Sequence, residues 1–208
     1  MKPYQGTGGE SMSEDFDRLM RALRLTGTEY CEDLRAIATE RTLEKGEKLS
    51  DADKQNIMFL MSGLLRGYVI DKNGEEITDC FMRRYAEACT MDLTVVGFKS
   101  EMSIHVEALE ETRLICFTAY DVIPMLSRSP ELLFVVNRSM AQNYIDLWNH
   151  KMILYRTTAM ERYTWFLEYY PGLIDVVPHK YIASFLDMTP VTLSRLRKTM
   201  HKEQLWIQ

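Results

Sequence analysis

The sequence predicts an α+β chain: antiparallel strands in its first half, then one long helix, then a small helical module. Three observations carry this. Short apolar runs recur between residues 41 and 118 about every ten residues, as in antiparallel sandwiches and barrels. Residues 131–157 contain neither Gly nor Pro, so one helix can run through them. Asp187-Met188-Thr189-Pro190 interrupts two short amphipathic segments near the C-terminus.

Composition sets the frame. The chain has 208 residues, 46% hydrophobic and 26% charged, which is enough apolar material for a packed core and excludes disorder as the main state. No run of about 18 apolar residues exists, so no membrane span is expected. Met1 to Met12 is polar and Gly-rich without an apolar core, so it does not read as a secretory signal, and residues 1–13 read as a flexible tail. Cys31, Cys80, Cys89 and Cys116 are scattered, with no CxxC or CxxH pair, so no zinc or iron–sulfur site is expected. Reduced thiols and no export signal predict a cytoplasmic protein. No GxSxG, HExxH or Walker loop appears, so no enzyme activity, catalytic residue or metal is expected.

The elements follow in order. Phe16, Leu19, Met20 and Leu23, then Leu34, Ile37 and Ala38, recur at helical spacing, and Thr26-Gly27-Thr28 separates the two helices, with Thr28 as N-cap. Lys45-Gly46-Glu47 is a turn. Asn56–Met61, Leu65–Asp71, Glu76–Met82, Ile104–Leu109 and Arg113–Phe117 read as strands. Asn73-Gly74 joins the second and third in a hairpin, because both residues tolerate positive φ. Met58, Met61 and Met82 are expected in the core, as adaptable filler. Residues 119–127 form a short helix ended by Ser129-Pro130. The expected division is 14–128 for the strand-rich domain, 129–157 for the long helix and 158–208 for the last module.

The long helix carries a seam with steps of three and four: Leu133, Val136, Met140, Asn143, Leu147, His150 and Leu154. One class of seam position is apolar and the other turns polar, which is how a two-stranded coiled coil fixes its register. A homodimer is expected. The alternative is a helix lying on its own barrel, since periods of 3.5 and 3.6 barely differ over four heptads.

Charge is uneven. Residues 1–149 hold 17 Lys/Arg and 25 Asp/Glu, whereas residues 150–208 hold 8 and 5. A basic end on an acidic body suits a partner that carries phosphates. In that end Ile182, Ala183 and Leu186 line one inner helix face, and Leu193, Leu196 and Met200 the other. Thr189 suits an N-cap and Pro190 the first helical position. This pattern is a helix-turn-helix, whose second helix enters the DNA major groove. Val191, Thr192, Arg195, Lys198 and Lys202 share its exposed side. Arg195 suits a guanine edge, and Val191 or Thr192 a thymine methyl. Ser194, Lys180 and Tyr181 suit phosphates, and Thr189 sits at the turn beside them. The alternative is an ordinary helical hairpin with a basic surface.

Ile182-Ala183-x-x-Leu186-x-x-Thr189-x-x-Thr192-Leu193-Ser194-Arg195 resembles the helix-turn-helix of the Crp/Fnr family of bacterial transcription regulators. Ser62-Gly63-Leu64-Leu65-Arg66-Gly67-Tyr68, Asn73-Gly74-Glu75-Glu76, Lys45-Gly46-Glu47 and Glu107-Ala108-Leu109-Glu110-Glu111-Thr112 are similar to motifs of that family's β-roll. The resemblance covers about residues 14 to 205. It implies an N-terminal double-stranded antiparallel β-roll, jelly-roll-like, then a dimerisation helix and a C-terminal winged helix-turn-helix. It also implies a cytoplasmic homodimer on a palindromic site in double-stranded DNA. The β-roll would take a small-molecule effector, unidentified, and turn the C-terminal module about a hinge near Tyr155–Ala159. Glu87, Ser103, His105 and Asn143 are the effector-pocket residues it implies. Glu87 matches the family's ribose-binding acid, but Ala86 replaces the Gly before it. No Arg lies between Glu87 and Glu111, and Lys99 stands outside the motif position. A buried cyclic phosphate without a paired cation is costly, so cyclic AMP is not the expected effector. Asp187 replaces the usual Gly of the turn and tolerates the left-handed conformation. Leu205-Trp206-Ile207 suits the start of a wing strand.

Two other classes stay open. A ligand-binding, cupin-like β-barrel needs His pairs with a carboxylate, and only His105 lies in the strands. A protein-interaction module would use the basic end on an acidic partner. Arg18, Arg21 and Arg24 suit an RNA polymerase contact and equally a solvated helix face. His150 is expected to be a solvated histidine at the seam edge; the alternative is that it titrates near pH 6.5 and couples pH to dimerisation.

Overall fold

The computed structural model describes residues 9–88 and 103–205, with side chains for 12–88 and 103–200. These form two compact units. One contains the chain up to Leu65 with Phe81–Met140, and the other Arg66–Cys80 with the chain from Ala141 onward.

In the first unit, helix α1 (Gly9–Leu23) begins inside the segment expected to be a tail. Phe16, Leu19, Met20 and Leu23 are all buried, as their spacing requires. Gly27, with φ 78°, sits in the break before α2 (Tyr30–Ile37). Thr28 is not a side-chain cap: its hydroxyl turns back and donates to the Leu25 carbonyl at 2.8 Å. Glu29 holds the N-cap position instead, without a side-chain bond.

Strands β1 (Thr39–Leu43), β2 (Asn56–Ser62) and β6 (Thr112–Thr118) form an antiparallel sheet in the order β1-β6-β2. Thr42 pairs with Arg113 and Phe59 with Ile115, and β2 bulges between Leu60 and Ser62. Ile57, Phe59, Met61, Ile115 and Phe117 belong to one core with α1 and α2. Met58, Leu60, Leu114 and Cys116 point the other way and are buried too. Burial on both faces explains why β2 is continuously apolar instead of alternating. Met58, Met61 and Met82 are buried, as expected. Burial pushes the Cys116 thiol up to about 12, so it behaves as a packing group without thiolate character.

Strand β5 (His105–Ala108) is tied to the Lys45-Gly46-Glu47 turn. Gly46 N–H donates to Ala108 O at 2.7 Å, and Ala108 N–H donates to Glu47 O at 2.9 Å. Gly63 has φ 107°, and a Cβ there would lie 2.4 Å from Thr112 Oγ1 and 2.6 Å from Thr112 Cα. Thr112 cannot move away, because it is buried and its hydroxyl accepts from Leu64 N–H at 3.2 Å. Gly63→Ala is therefore expected to destabilise by about 2–4 kcal/mol, combining backbone strain with overpacking, and thermal unfolding measures it. Helix α3 (Ala119–Leu126) is capped by Thr118, which accepts from Asp121 N–H at 3.3 Å.

The second unit holds Arg66–Cys80, most of the hairpin of β3 (Leu65–Ile70) and β4 (Glu76–Met82). Its turn differs from the expected two-residue form. Asp71 N–H donates to Glu75 O at 2.9 Å, and of Asn73 and Gly74 only Gly74 has positive φ, at 84°. The Asp71 carboxylate accepts from Asn73 N–H and Glu75 N–H, which fixes the wider turn and lowers its pKa.

Helix α4 (Pro130–Arg156) is continuous, as its lack of Gly and internal Pro predicts. Its end is followed by a capping box. Thr158 accepts from Glu161 N–H, the Glu161 carboxylate accepts from Thr158 N–H, and α5 (Ala159–Tyr169) starts there. The helix break thus falls at Thr157-Thr158, inside the expected hinge segment. A short helix, α6 (Leu173–Val176), follows Gly172, and its single turn is too short to leave a periodic signal. Helices α7 (His179–Phe185) and α8 (Pro190–Leu205) are the last of the described elements. Phe166, Leu173, Val177, Ile182, Ala183, Phe185, Leu186 and Leu193 make the core of this module. Leu205 is helical, so it does not begin a wing strand; Trp206 and Ile207 lie outside the described residues.

Candidate nucleic-acid interface

Helices α7 and α8 meet as the sequence pattern requires. Ile182, Ala183, Leu186 and Leu193 are buried between and beneath them, and Leu196 and Met200 are half-buried. Ala183 has no side chain beyond Cβ, which lets the helices approach closely. The turn depends on Asp187, whose φ is 49°. Met188 N–H then donates to Ala183 O at 3.0 Å, closing the C-terminal end of α7. Arg162 Nη1 lies 3.9 Å from the Asp187 carboxylate and donates to Leu154 O at 3.4 Å. Thr189 caps α8, accepting from Thr192 N–H at 3.1 Å, with Pro190 as first helical residue.

That geometry fixes what α8 presents. Val191 is 61% exposed, and Ser194, Arg195 and Lys198 are exposed on the same side. Among the described residues neither Arg195 nor Lys198 forms an ion pair. Both cations are therefore available to an external anion or base edge. Thr192 is half-buried, and its hydroxyl lies 2.9 Å from that of Thr189, so it belongs partly to the cap. Arg197 faces elsewhere: it donates to His179 Nε2 at 2.6 Å and reaches Asp175 at 3.4 Å. The Lys202 side chain lies outside the described ones.

The α7 residues expected on phosphates are arranged differently. Lys180 is exposed, but its ammonium sits 4.8 Å from the centre of the Tyr181 ring. Tyr181 itself stacks on the guanidinium of Arg66, at 3.7 Å. Arg66, from β3, is fully buried, donates to Thr78 Oγ1 at 2.9 Å, and pairs with Glu76 at 2.7 Å. Ser184, also on α7, accepts from Thr78 N–H at 3.0 Å. Sequence reasoning quoted Arg66 only as part of a motif and did not single out Ser184, because the Arg66–Tyr181 and Ser184–Thr78 contacts each join residues more than 100 positions apart.

The seam expected on α4 is only half present as an exposed stripe. Leu133, Met140 and Leu147 are exposed, and so is Asn143. Val136 and Leu154 are half-buried. His150 is buried in its own chain, 9% exposed, which corrects the expected solvated histidine. Its Nε2–H donates to Phe185 O at 2.7 Å, and its ring stacks on Phe185 with centroids 3.9 Å apart. Tyr144, Trp148 and Tyr155 are exposed beside the three apolar seam residues and complete an apolar stripe, along which Asn137 and Lys151 are exposed as well. At the second class of position Val136 is half-buried and His150 buried while Asn143 is exposed, whereas Asn137, Tyr144 and Lys151, one residue on, are all exposed. A helix of 3.6 residues per turn drifts in this direction from a strict heptad.

Burial lowers the pKa of His150, while the Phe185 bond and nearby Asp79 oppose that shift. A histidine pKa below its unfolded value means that the unfolded state takes up the proton first. Stability is therefore complete above about pH 6.5 and falls as pH drops towards the depressed native value, by at most about 1.4 kcal/mol per pH unit. His150→Gln, which keeps an N–H donor without a titrating ring, is expected to flatten the slope of melting temperature against pH between 7 and 5.

The residues implied for an effector pocket are accounted for in part. The Glu87 carboxylate accepts from Arg83 N–H at 3.0 Å and Arg84 N–H at 2.9 Å, and pairs with the Arg84 guanidinium at 2.7 Å. Ala86 before it adopts φ 57°, the conformation a Gly would take without strain. Ser103 is exposed and His105 half-buried at the start of β5. Asn143 is exposed on α4. Cys89 and Lys99 lie outside the described residues. Among the described residues no group of three or more His, Cys, Asp or Glu could hold a metal ion, and no helix is long and apolar enough to cross a membrane.

No family model matches the sequence, and no curated protein does. Solved structures do match. FixK2 from Bradyrhizobium japonicum is 19% identical, with a TM-score of 0.67 over 81% of this chain and 86% of that one. A crp/fnr family protein from Eubacterium rectale is 18% identical, with a TM-score of 0.70 over 89% and 88%. A cyclic nucleotide-binding domain-containing protein from Listeria monocytogenes is 17% identical, with a TM-score of 0.66 over 91% of both. The architecture anticipated from scattered short motifs is therefore matched along most of the chain: this protein has the fold of the Crp/Fnr regulators.

Proposed function

We propose that this chain is a sequence-specific DNA-binding transcription regulator that acts as a homodimer on a palindromic site. The observation that carries the reading is the exposed side of α8, where Val191, Ser194, Arg195 and Lys198 stand together on a capped helix behind a tight turn. An apolar contact, a hydroxyl and two cations without acidic partners among the described residues are the chemistry needed for a thymine methyl, a phosphate and a guanine edge. The apolar stripe on α4 supports the dimer. Met140, Tyr144, Leu147, Trp148 and Tyr155 are all exposed along one side of the helix, an arrangement that is costly in water and is covered by a second copy in this reading. Two recognition helices then lie one DNA turn, or about 34 Å, apart. An effector, in this reading, is not cyclic AMP, because no Arg lies between Glu87 and Glu111 to pair with a buried cyclic phosphate.

Selection of binding sites from random duplex DNA by the purified protein tests this, at two salt concentrations. Enrichment of an inverted repeat with half-sites about one turn apart is the expected result. Binding that falls steeply with salt and enriches no sequence would leave only a phosphate-binding surface and overturn the regulator reading.

A further inference from the structure

The contact between α7 and the β3–β4 hairpin is built of groups that are expensive to bury. Arg66 is fully buried and charged. Its cost is met by Glu76 at 2.7 Å, by Thr78 Oγ1 at 2.9 Å, and by two rings, Tyr68 at 4.4 Å and Tyr181 at 3.7 Å. Beside this stack the Ser184 hydroxyl bonds twice to the hairpin backbone: it accepts from Thr78 N–H at 3.0 Å and donates to Glu76 O at 3.4 Å. A helix whose only role were to support α8 would need an apolar underside and nothing more. This one has a second set of contacts, to a hairpin, made through its polar residues.

These contacts bear on DNA, given the function proposed above. Tyr181 and Lys180 are the α7 residues at which a phosphate would approach, yet Tyr181 is committed to Arg66 and Lys180 leans over the same ring. The Glu76 carboxylate, one-third exposed, stands in the same cluster as a like charge to phosphate. We propose that Arg66, Tyr181 and Ser184 form a latch that holds α7 against the β3–β4 hairpin, and that releasing it strengthens DNA binding. Duplex and hairpin compete for the same face of α7. Apparent affinity is then the intrinsic affinity multiplied by the fraction of molecules that are unlatched. Anything that shifts the hairpin away from α7 is an activator by the same relation, because it binds one state better than the other.

Ser184→Ala is the mild variant, since it removes only the two hydroxyl bonds. Tyr181→Leu removes the ring over Arg66 and keeps apolar bulk. Tyr181→Phe keeps the ring. Two measurements are made on the full chain: amide hydrogen exchange at Thr78 and along α7, and affinity for duplex selected by the parent protein or, if none is selected, for random duplex. The expected result is faster exchange in Ser184→Ala and Tyr181→Leu, parent-like exchange in Tyr181→Phe, and duplex binding by Ser184→Ala about 5- to 10-fold tighter than the parent. Faster exchange without tighter binding in Ser184→Ala overturns the latch as an inhibitor, and so does unchanged exchange. If neither parent nor variants bind any duplex, the regulator reading fails as well, and the exchange data separately report whether the hairpin holds α7.

Discussion

Arg195→Ala is expected to flatten the preference at one base pair in each half-site while leaving the fold intact. Arg195 is exposed on α8 and, among the described residues, forms no ion pair, so truncation breaks no salt bridge of the folded chain. The loss on DNA is large for the same reason: a guanidinium that spends nothing on its own protein delivers its full bidentate geometry to a base edge. One such pair discriminates by about 1–3 kcal/mol, or roughly 5- to 150-fold, per half-site. Lys198→Ala makes the contrast. A lysine on a phosphate contributes charge without sequence, so its loss is expected to weaken all duplexes alike and to reduce the salt slope by about one per contact. Site selection repeated with both variants checks this. An unchanged base preference in Arg195→Ala removes Arg195 from the reading set.

The turn between α7 and α8 explains why this site was legible in the sequence. Thr189-Pro190 states a helix start in residue types that have few other uses, and Ile182, Ala183, Leu186 and Leu193 fall on the faces their spacing dictates. Local chemistry decides these features, and local chemistry is what a sequence displays. The strands were legible for a related reason, since turn residues bound them: Gly46 and Gly74 take positive φ where expected. Pairings distant in the chain were not legible. Ser184 meets Thr78 across 106 residues, and nothing in either segment announces the other. Arg66 shows the same limit from the other side, because its neighbours in sequence say nothing of Tyr181. His150 failed on register. A heptad of 3.5 residues placed it on the seam, whereas the helix of 3.6 residues turns it inward onto Phe185. A difference of one residue in which side of a helix is apolar cannot be settled when both sides carry apolar groups, as α4 does.

Leu147→Glu is expected to convert a dimer to a monomer and to cost more in DNA affinity than any change on α8. Leu147 is 56% exposed in the single chain and lies between Tyr144 and Trp148, whose rings stack at 6.4 Å. A carboxylate there is harmless to a lone chain. In a two-fold interface each copy brings the same carboxylate to the same seam, so two like charges meet in an apolar setting, at a cost of several kcal/mol. Without the partner, each module meets one half-site alone, and affinity for the full site is expected to fall by about 10³-fold or more, towards the unspecific level. The same experiment separates the two registers. Tyr144→Glu disrupts the dimer if the exposed stripe of Leu133, Met140, Tyr144 and Leu147 is the interface, and Asn143→Glu then leaves it intact. The reverse result restores the seam through Asn143. Sedimentation velocity on the three variants, with circular dichroism to confirm that α4 remains helical, reads out all of this. A monomeric parent protein that still selects an inverted repeat would show that the stripe serves some other partner. The dimer would then form only on DNA, where two half-sites already hold the copies side by side.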